Sequence, residues 1–470
     1  MNIESFEDVV RYLDGTYSPS VMPSIKDNRT YRLEREREIL KLLHNPEKEL
    51  TCIHVAGSKG KGTTAAYLAS LIGGGNAKVG LYMSPHVYNY RERWMLSSLD
   101  KKKPISFFTD KEYIQAANIM QSFLGDHKKL KLKDGLSPTQ FELYTAYAFV
   151  LFRYAKINVA VIETGLGGRL DATNVINSIA CVLTHIEKEH TDILGNDIKD
   201  ITREKCGIIK NGVSVFALKG SAETDEVIKS ECKKKKAELF FIENRHDDNL
   251  LPLKIKGDNA YTDFNLALSV VKHLNINCSE KAKARACSLT LPARSEVTIE
   301  KDKIVILDGA HTVCSIQELC KNTGIIAQNI RPEEIINKQI NPEMSKEINI
   351  QTFAYDMPFI DTYPRAVIFS CLENKDSFGM LEILIKEFDI IALTSIDGYK
   401  KSNMNKIVLD AEKVLNKTKN RRVKKIIIND DIEECLNEIT STDYSYMFNK
   451  NIKIIVVTGS FYLCSSFFGG

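Results

Sequence analysis

The residues with the clearest chemical potential lie in one segment, from His54 to Leu68. An apolar run leads into three closely spaced glycines, and an apolar helical pattern follows, which predicts a strand, a glycine turn and a helix. Such glycines let backbone N–H groups point at an anion, which the positive end of the following helix also attracts. Lys61 adds a point charge for the outer phosphates, and Thr63 or Thr64 adds a hydroxyl for Mg²⁺. The segment therefore predicts a phosphate cradle, and a glycine turn that serves only packing is the alternative.

The spacing of the glycines differs from that of the common P-loop. Two residues separate Gly57 from Gly60 here, whereas the common motif has four residues between its glycines. The predicted nucleotide-binding residues of this loop are consecutive: Gly57, Ser58, Lys59, Gly60, Lys61, Gly62, Thr63 and Thr64.

Acidic and histidine side chains follow other predicted strands. Residues 158–164 form a run rich in β-branched side chains, of the kind buried in a parallel sheet, and Glu163 lies near its end. Open α/β sheets bind ligands at that end of their strands, where Glu163 is a hard oxygen ligand suited to Mg²⁺. A further predicted strand, 179–184, is followed by His190 and Asp192, which favours a metal site. A solvent-facing Glu163 and a structural His190 are the alternatives.

The length of 470 residues exceeds one ordinary core, so two domains are expected. Alternating strand and helix patterns predict an α/β fold: a P-loop parallel-sheet domain in 1–291 and a smaller Rossmann-like domain in 292–470. Residues of about 322–362 lack sustained periodicity and are expected to be an insertion. In the second domain a predicted strand ends in Asp308 and His311 follows, which suits an anion and ribose site.

The composition argues against several classes of protein. The formal net charge is +3, from 64 basic and 61 acidic residues, which gives no reason to expect a nucleic-acid or membrane partner. The 11 cysteines show no CxxC pair or zinc-like spacing, as expected for reduced thiols. The N-terminus has no apolar signal region, and no run of about 18 apolar residues occurs. We therefore expect a soluble, cytoplasmic protein, with an organellar pool left open. We also expect a monomer.

Two stretches resemble a known family. GSKGKGT at residues 57–63 and ETGLGGRLDATN at residues 163–174 are similar to motifs of the folylpolyglutamate synthase and dihydrofolate synthase branch of the ATP-dependent Mur ligase superfamily. The resemblance implies a Mur-ligase-type ATP-binding domain followed by a Rossmann-like ligase domain. It also implies ATP and Mg²⁺, with a substrate carboxylate that attacks the γ-phosphate and an acyl phosphate that reacts with the amine of L-glutamate.

The resemblance implies roles for residues outside the glycine loop. The metal ligands it implies are Thr63, Ser84, Glu163 and His190. The further nucleotide contacts are Asn265 at adenine, Arg294 at phosphate, Asp308 and His311. The residues assigned to the acid substrate are Phe141, Glu142 and Asp171, and those assigned to catalysis are Lys61, His190 and Lys205.

The role expected for Lys205 is more specific than the roles expected for the other residues. In several relatives the matching lysine is carbamoylated, which would turn a cation into an anionic group; the alternative is an ordinary surface lysine in a helical ion pair. Two positions depart from the family pattern. Glu189 replaces an aspartate before His190, and the pair before Asn265 is Tyr261-Thr262 where the family has His-Gln.

The sequence DGAHT at residues 308–312 and the presence of Lys59 resemble folylpolyglutamate synthases of the eukaryotic type. They favour a folate as the acid substrate, with dihydropteroate, used alone or in a bifunctional enzyme, as the alternative. A Mur cell-wall ligase and a nucleotide-binding switch without ligase activity are the remaining hypotheses.

Overall fold

The computed structural model describes residues 2–14, 33–75, 77–189, 191–243, 253–255, 257–301, 303–329, 364–396, 401–448 and 452–467. The chain divides into two compact units. The first comprises Met1–Leu253 with Asp258–Leu289, and the second comprises Lys254–Gly257 with Thr290–Gly470. His190 and most of the expected insertion, 330–363, lie outside the described residues.

The described part of the first unit contains a mixed, mainly parallel sheet. Its strands in chain order are β1 (Thr51–Ala56), β2 (Val79–Tyr82), β3 (Trp94–Ser97), β4 (Ser106–Phe107), β5 (Val159–Glu163), β6 (Ser178–Leu183), β7 (Ser214–Leu218) and β8 (Leu239–Ile242). Their order across the sheet is β4-β3-β2-β5-β1-β6-β7-β8. In this order, each neighbouring pair in the part β2-β5-β1-β6-β7-β8 is parallel. The strands β3 and β4 are antiparallel to their neighbours and form one edge of the sheet.

The helices of the first unit cover the apolar strands. In chain order they are α1 (Phe6–Asp14), α2 (Leu33–Leu42), α3 (Lys61–Gly73), α4 (Asp110–Leu124), α5 (Gln140–Tyr154), α6 (Thr191–Leu194), α7 (Ile198–Cys206), α8 (Ala222–Lys234), α9 (Asp258–His273) and α10 (Glu280–Cys287). The central helix α3 is buried along almost its whole length and packs on β1, β2 and β5. On its other side α9 packs against it, with Tyr67 and Phe264 edge to face at 5.2 Å.

The central strands lie where the sequence predicted them because they are apolar on both faces. Strands β1, β5 and β6 are buried at nearly every position, as parallel strands covered by helices must be. Since β1 has β5 on one side and β6 on the other, the carboxyl ends of the three strands lie side by side. This edge is where an open parallel sheet places its ligand.

The second unit has a sheet of its own among the described residues. Its strands are β9 (Glu296–Glu300), β10 (Lys303–Asp308), β11 (Arg365–Phe369), β12 (Ile390–Leu393), β13 (Lys425–Ile428) and β14 (Ile454–Thr458), in the order β13-β12-β11-β14-β10-β9. Its helices are α11 (Val313–Asn329), α12 (Ser377–Glu387), α13 (Met404–Lys417), α14 (Ile432–Ser441), α15 (Ser445–Phe448) and α16 (Phe461–Ser466). Only β9 runs antiparallel to its neighbour in this sheet. The predicted α/β class, with two mainly parallel sheets, is confirmed.

The structure adds details that the sequence did not predict. The helix that carries Asn265, α9, begins at Asp258. Residues 322–329, at the start of the expected insertion, form the end of α11. The antiparallel strands β3, β4 and β9 were not predicted; β4, with two residues, is too short to show an alternating pattern.

The described part of the chain contains no helix that is both long and apolar enough to span a membrane. All 11 cysteines are free thiols.

Candidate functional site

The glycine loop between β1 and α3 requires glycine at two positions. Gly57 has a φ of +155° and Gly60 a φ of +79°, in the region that other residues rarely adopt. A Cβ on Gly57 would collide with the hydroxyl of Thr184, and a Cβ on Gly60 would collide with the carboxylate of Asp263. The tight turn therefore depends on both glycines, and it leads directly into the first turn of α3 at Lys61.

The first turn of α3 presents the groups expected of an anion site. An α-helix supplies no acceptor for its first N–H groups, so those of Lys61, Gly62 and Thr63 lie at the positive end of the helix dipole. The Lys61 ammonium donates to the carbonyl oxygen of Ser58 at 3.3 Å, which folds it back over the loop. Thr63 and Thr64 are buried, and the Thr64 hydroxyl has no hydrogen-bond partner among the residues that the structure describes.

A second segment, residues 184–189 after β6, is bound to the glycine loop. The backbone N–H groups of Ser58 and Lys59 donate to the carbonyl oxygen of His185 at 2.7 and 3.2 Å. The Ser58 hydroxyl donates to the Glu187 carbonyl and accepts from the Glu187 N–H, each at 3.0 Å. The Lys59 ammonium lies 2.9 Å from the Glu187 carboxylate.

The side chain of Lys205, on α7, contacts both the glycine loop and the segment 184–189. Its side chain is 1 % exposed, and its ammonium donates to the Gly57 carbonyl at 2.7 Å and to the Glu189 carboxylate at 2.8 Å. The pKa of Lys205 is lowered to about 8, chiefly by burial; Glu189 opposes this shift, and Lys61 contributes to it. The alternative of an ordinary surface lysine is therefore wrong.

The carboxyl end of β5 carries Glu163. This side chain is 3 % exposed, and its carboxylate accepts the backbone N–H of Ser84 at 3.0 Å. Because Glu163 pairs with Val55 of β1 and Thr164 donates to the Val55 carbonyl, it lies beside the start of the glycine loop. The alternative of a solvent-facing Glu163 is therefore wrong. Ser84 opens the loop after β2, and the Ser84-Pro85 peptide bond is cis.

The residues assigned to the acid substrate lie around the turn that follows β5. Phe141 packs so closely on Gly165 that a Cβ there would meet the phenyl ring. Asp171 accepts from the N–H of Leu166 at 2.8 Å and from the N–H of Thr173 at 3.1 Å, so it shapes the turn, and burial raises its pKa.

Glu142 has two structural contacts. Its carboxylate accepts from the Thr139 N–H at 2.6 Å, which caps α5, and it pairs with the buried guanidinium of Arg35 at 2.7 Å. Both contacts hold the N-terminus of α5, where Phe141 lies.

Asn265 lies half-buried on α9, the helix that packs against α3. In the second unit, Asp308 at the end of β10 accepts from the Ser295 N–H at 2.8 Å and from the Ala310 N–H at 2.9 Å. Arg294 stacks its guanidinium over the Phe461 ring at 5.0 Å. His311 contacts the Gly309 carbonyl through Nδ1 at 2.8 Å.

The structure thus brings together the glycine loop, Glu163, Ser84 and Lys205 at one sheet edge. His190 belongs to the same chain segment as Glu189 but is not described. Within the described ranges, no group of three or more His, Cys, Asp or Glu side chains is arranged to hold a metal ion.

Sequence reasoning missed three residues that shape the loop: Glu187, Thr184 and Asp263. No motif distinguishes them, although Thr184 and Glu187 follow a predicted strand end and could have been considered for that reason.

No family model matches the chain. It is 31% identical over 308 residues to the dihydrofolate synthase/folylpolyglutamate synthase of Buchnera aphidicola from Acyrthosiphon pisum, covering 62% of this chain and 69% of that one. It is 26% identical over 491 residues to the protein of that name from Bacillus subtilis, covering 98% of each. The structure of Mycobacterium tuberculosis folylpolyglutamate synthase complexed with ADP matches with a TM-score of 0.76 at 22% identity, over 100% of this chain and 99% of that one.

The Mycobacterium tuberculosis match shows a shared fold along the whole chain, and the Buchnera match adds sequence identity over most of a relative's length. The glycine loop, Glu163 and the ETGLGGRLDATN turn all lie at one end of the parallel strands. The chain therefore belongs to the dihydrofolate synthase/folylpolyglutamate synthase family of ATP-dependent ligases.

Proposed function

We propose that this chain joins L-glutamate to a folate in an ATP-dependent reaction, as a folylpolyglutamate synthase does. The observation that carries the proposal is the arrangement at the ends of β1, β5 and β6. There the glycine loop, the positive end of α3 and Glu163 are side by side. Transfer of a phosphoryl group depends on positioning and charge neutralisation, which backbone N–H groups, Lys61 and a metal-binding carboxylate supply.

ATP fits the glycine loop because the loop leaves no room for side chains at Gly57 and Gly60 and exposes the N–H groups of the first turn to an anion. The backbone of residues 57–64 would hold its phosphates, with the Lys61 side chain at the outer ones. Asn265 would contact adenine. In the second unit, Arg294, Asp308 and His311 are proposed to contact the nucleotide.

Mg²⁺ fits the donors at this edge. Mg²⁺ is usually bound through one or two carboxylates together with substrate phosphates and water. Glu163 offers a buried carboxylate, Ser84 and Thr63 offer hydroxyls, and His190 completes the proposed ligands. When bound, Mg²⁺ would neutralise charge on the transferring phosphoryl group.

The catalytic residues are proposed to be Lys61, His190 and Lys205. Lys205 is suited to carbamoylation because burial holds its pKa near 8, so an appreciable fraction of the amine is neutral near that pH. Arg203, on the same helix, pairs with Asp200 on the surface at 2.6 Å, so burial, with a contribution from Lys61, is what lowers the pKa of Lys205.

The acid substrate is proposed to bind beside Phe141 and Asp171, with Glu142 fixing the N-terminus of α5. In the reaction its carboxylate attacks the γ-phosphorus, ADP leaves, and the glutamate amine then displaces phosphate from the acyl phosphate to form an amide. Dihydropteroate is the second candidate for this acid, because the Buchnera and Bacillus relatives are named for both activities.

The test is incorporation of labelled glutamate, with tetrahydrofolate and dihydropteroate offered side by side and ADP release followed in parallel. Incorporation with tetrahydrofolate supports the proposal, and incorporation with both acids indicates a bifunctional enzyme. ADP release that needs neither the acid nor glutamate would instead indicate a nucleotide-binding switch or simple ATPase. Sedimentation of the same sample tests the expected monomer.

A further inference from the structure

The segment 184–189 contacts the glycine loop through Thr184, His185 and Glu187. The Thr184 hydroxyl donates to the Lys59 carbonyl at 2.6 Å, and His185 accepts two N–H groups of the loop. Beyond this point the chain continues through Glu189, which holds Lys205 at 2.8 Å, and then to the proposed metal ligand His190. The segment therefore connects the phosphate-binding backbone to two proposed catalytic residues.

Glu187 holds the loop at three points. Its N–H and carbonyl both bind the Ser58 hydroxyl, and its carboxylate lies 2.9 Å from the Lys59 ammonium. The two side chains are 22 % and 14 % exposed, so the pair is partly shielded from water. His185 Nε2 lies 3.8 Å from the same carboxylate oxygen, at the margin of the pair.

The direction of the Lys59 side chain is informative. In the same loop Lys61 folds back over the Ser58 carbonyl at the first turn of α3, where phosphates are expected. Lys59 instead faces the 184–189 segment, and a carboxylate neutralises its charge there. The two lysines of the motif therefore point to different partners.

We propose that Lys59 and Glu187 form a positioning pair that holds the 184–189 segment against the phosphate loop, and that Lys59 is not itself a phosphate ligand. The proposal rests on the ligase function proposed above. Its physical basis is that a reacting group displaced by about 1 Å can cost on the order of a hundredfold in rate. Loss of the pair would let the segment shift and would move Glu189, which holds Lys205.

The test compares the variants Lys59→Met, Glu187→Gln, the double variant and the exchanged pair Lys59→Glu with Glu187→Lys. We measure kcat, KM for ATP and the half-saturating Mg²⁺ concentration in the glutamate-dependent reaction. Each single variant should lower kcat by about tenfold, and the double variant should be no worse than either, because partners in one interaction are non-additive. KM for ATP should change by less than about twofold, since binding of the ground state is not the function of the pair.

The exchanged pair should recover part of the lost kcat. Lys188→Met is the matched control, because Lys188 is an exposed lysine of the same segment, and its kinetics should equal those of the parent. If Lys59→Met or Glu187→Gln fails to fold, we use Lys59→Arg or Glu187→Asp in its place. These variants keep both charges, so their kcat should stay within about threefold of the parent value.

Two results would overturn the proposal. If Lys59→Met raises KM for ATP strongly while Glu187→Gln changes nothing, Lys59 is a direct phosphate ligand. If the effects of the single variants multiply in the double variant, the residues act independently. Amide exchange at Ser58 and Lys59, which should be faster in Glu187→Gln, tests the pair without any turnover. If amide exchange is faster in Glu187→Gln but the parent shows no glutamate-dependent reaction, the Lys59–Glu187 pair is supported and the proposed ligase function is not.

Discussion

The ammonium of Lys205 lies 2.7 Å from the carbonyl oxygen of Gly57, although 148 positions separate them in the chain. Lys205, on α7, thereby holds Gly57, the first residue of the phosphate loop. Its other contact, Glu189, belongs to the segment that precedes His190. Any change in the charge of Lys205 acts directly on the phosphate loop and on this segment.

Lys205→Arg should be inactive if carbamoylation matters, because the guanidinium keeps the positive charge but cannot form the carbamate. Lys205→Ala should also be inactive, and small carboxylic acids should partly restore its turnover by occupying the vacated space. The measurement is glutamate incorporation with and without added acid, together with ¹³CO₂ labelling of the parent enzyme. A fully active Lys205→Arg enzyme would show that the modification is dispensable.

Lys61→Ala should abolish amide formation, with a loss of at least about a hundredfold in kcat, because the positioned charge for the outer phosphates is removed. The thermal midpoint should stay close to that of the parent, since the ammonium has one hydrogen bond to a loop carbonyl and no part in the hydrophobic core. Steady-state kinetics and thermal unfolding of the same sample separate the two effects. Normal turnover would contradict the assignment of the phosphate loop.

Glu163→Gln should raise the Mg²⁺ concentration needed for half-maximal activity by about tenfold or more, because a neutral amide is a poor ligand for a hard cation. The amide can still accept the Ser84 N–H, so the backbone of the neighbouring loop should be preserved. A Mg²⁺ titration at saturating ATP is the measurement. An unchanged Mg²⁺ requirement would leave Glu163 as a structural strand end.

The burial of Glu36 predicts that the stability of the fold depends on pH. Glu36 is fully buried on α2, and neither carboxylate oxygen has a hydrogen-bond partner within the described ranges. Burial, followed by Glu142, raises its pKa well above 4.5. A raised pKa means that the folded state binds more protons than the unfolded state above about pH 4.5, so this residue lowers the free energy of unfolding as the pH rises.

Glu36→Gln should therefore be more stable than the parent by about 1–3 kcal/mol near neutral pH, and the advantage should shrink toward about pH 4. Urea unfolding at several pH values is the measurement. Glu34→Gln is the control, since Glu34 lies on the same helix with its side chain 76 % exposed, and its effect should be small at every pH. A gain that does not depend on pH would show that folding does not raise the pKa of Glu36.

Some of these relationships can be predicted from the sequence and others cannot. The apolar run before Gly57 and the helical pattern after Gly60 are local signals, and a strand and a helix at those positions follow from them. The expected strand 158–164 gave β5 and placed Glu163 at its end, because β-branched residues on both faces indicate a buried parallel strand.

The partners of the same side chains depend on contacts between distant parts of the chain. Arg35 and Glu142 are 107 positions apart, and Lys59 and Glu187 are joined only because β1 and β6 are neighbours in the sheet. Lys205 resembles many surface lysines in sequence, and its low pKa arises from the burial that α7 acquires against the loop.

The sequence by itself thus determined the chemistry that the chain carries: the glycine turn, the lysine at the start of α3 and the acid at the end of β5. The tertiary structure decided which charges are paired and which are buried. The physical reason is that helix and strand patterns repeat over a few residues, whereas desolvation and ion pairing depend on atoms that only the packing of the sheet brings within a few ångströms.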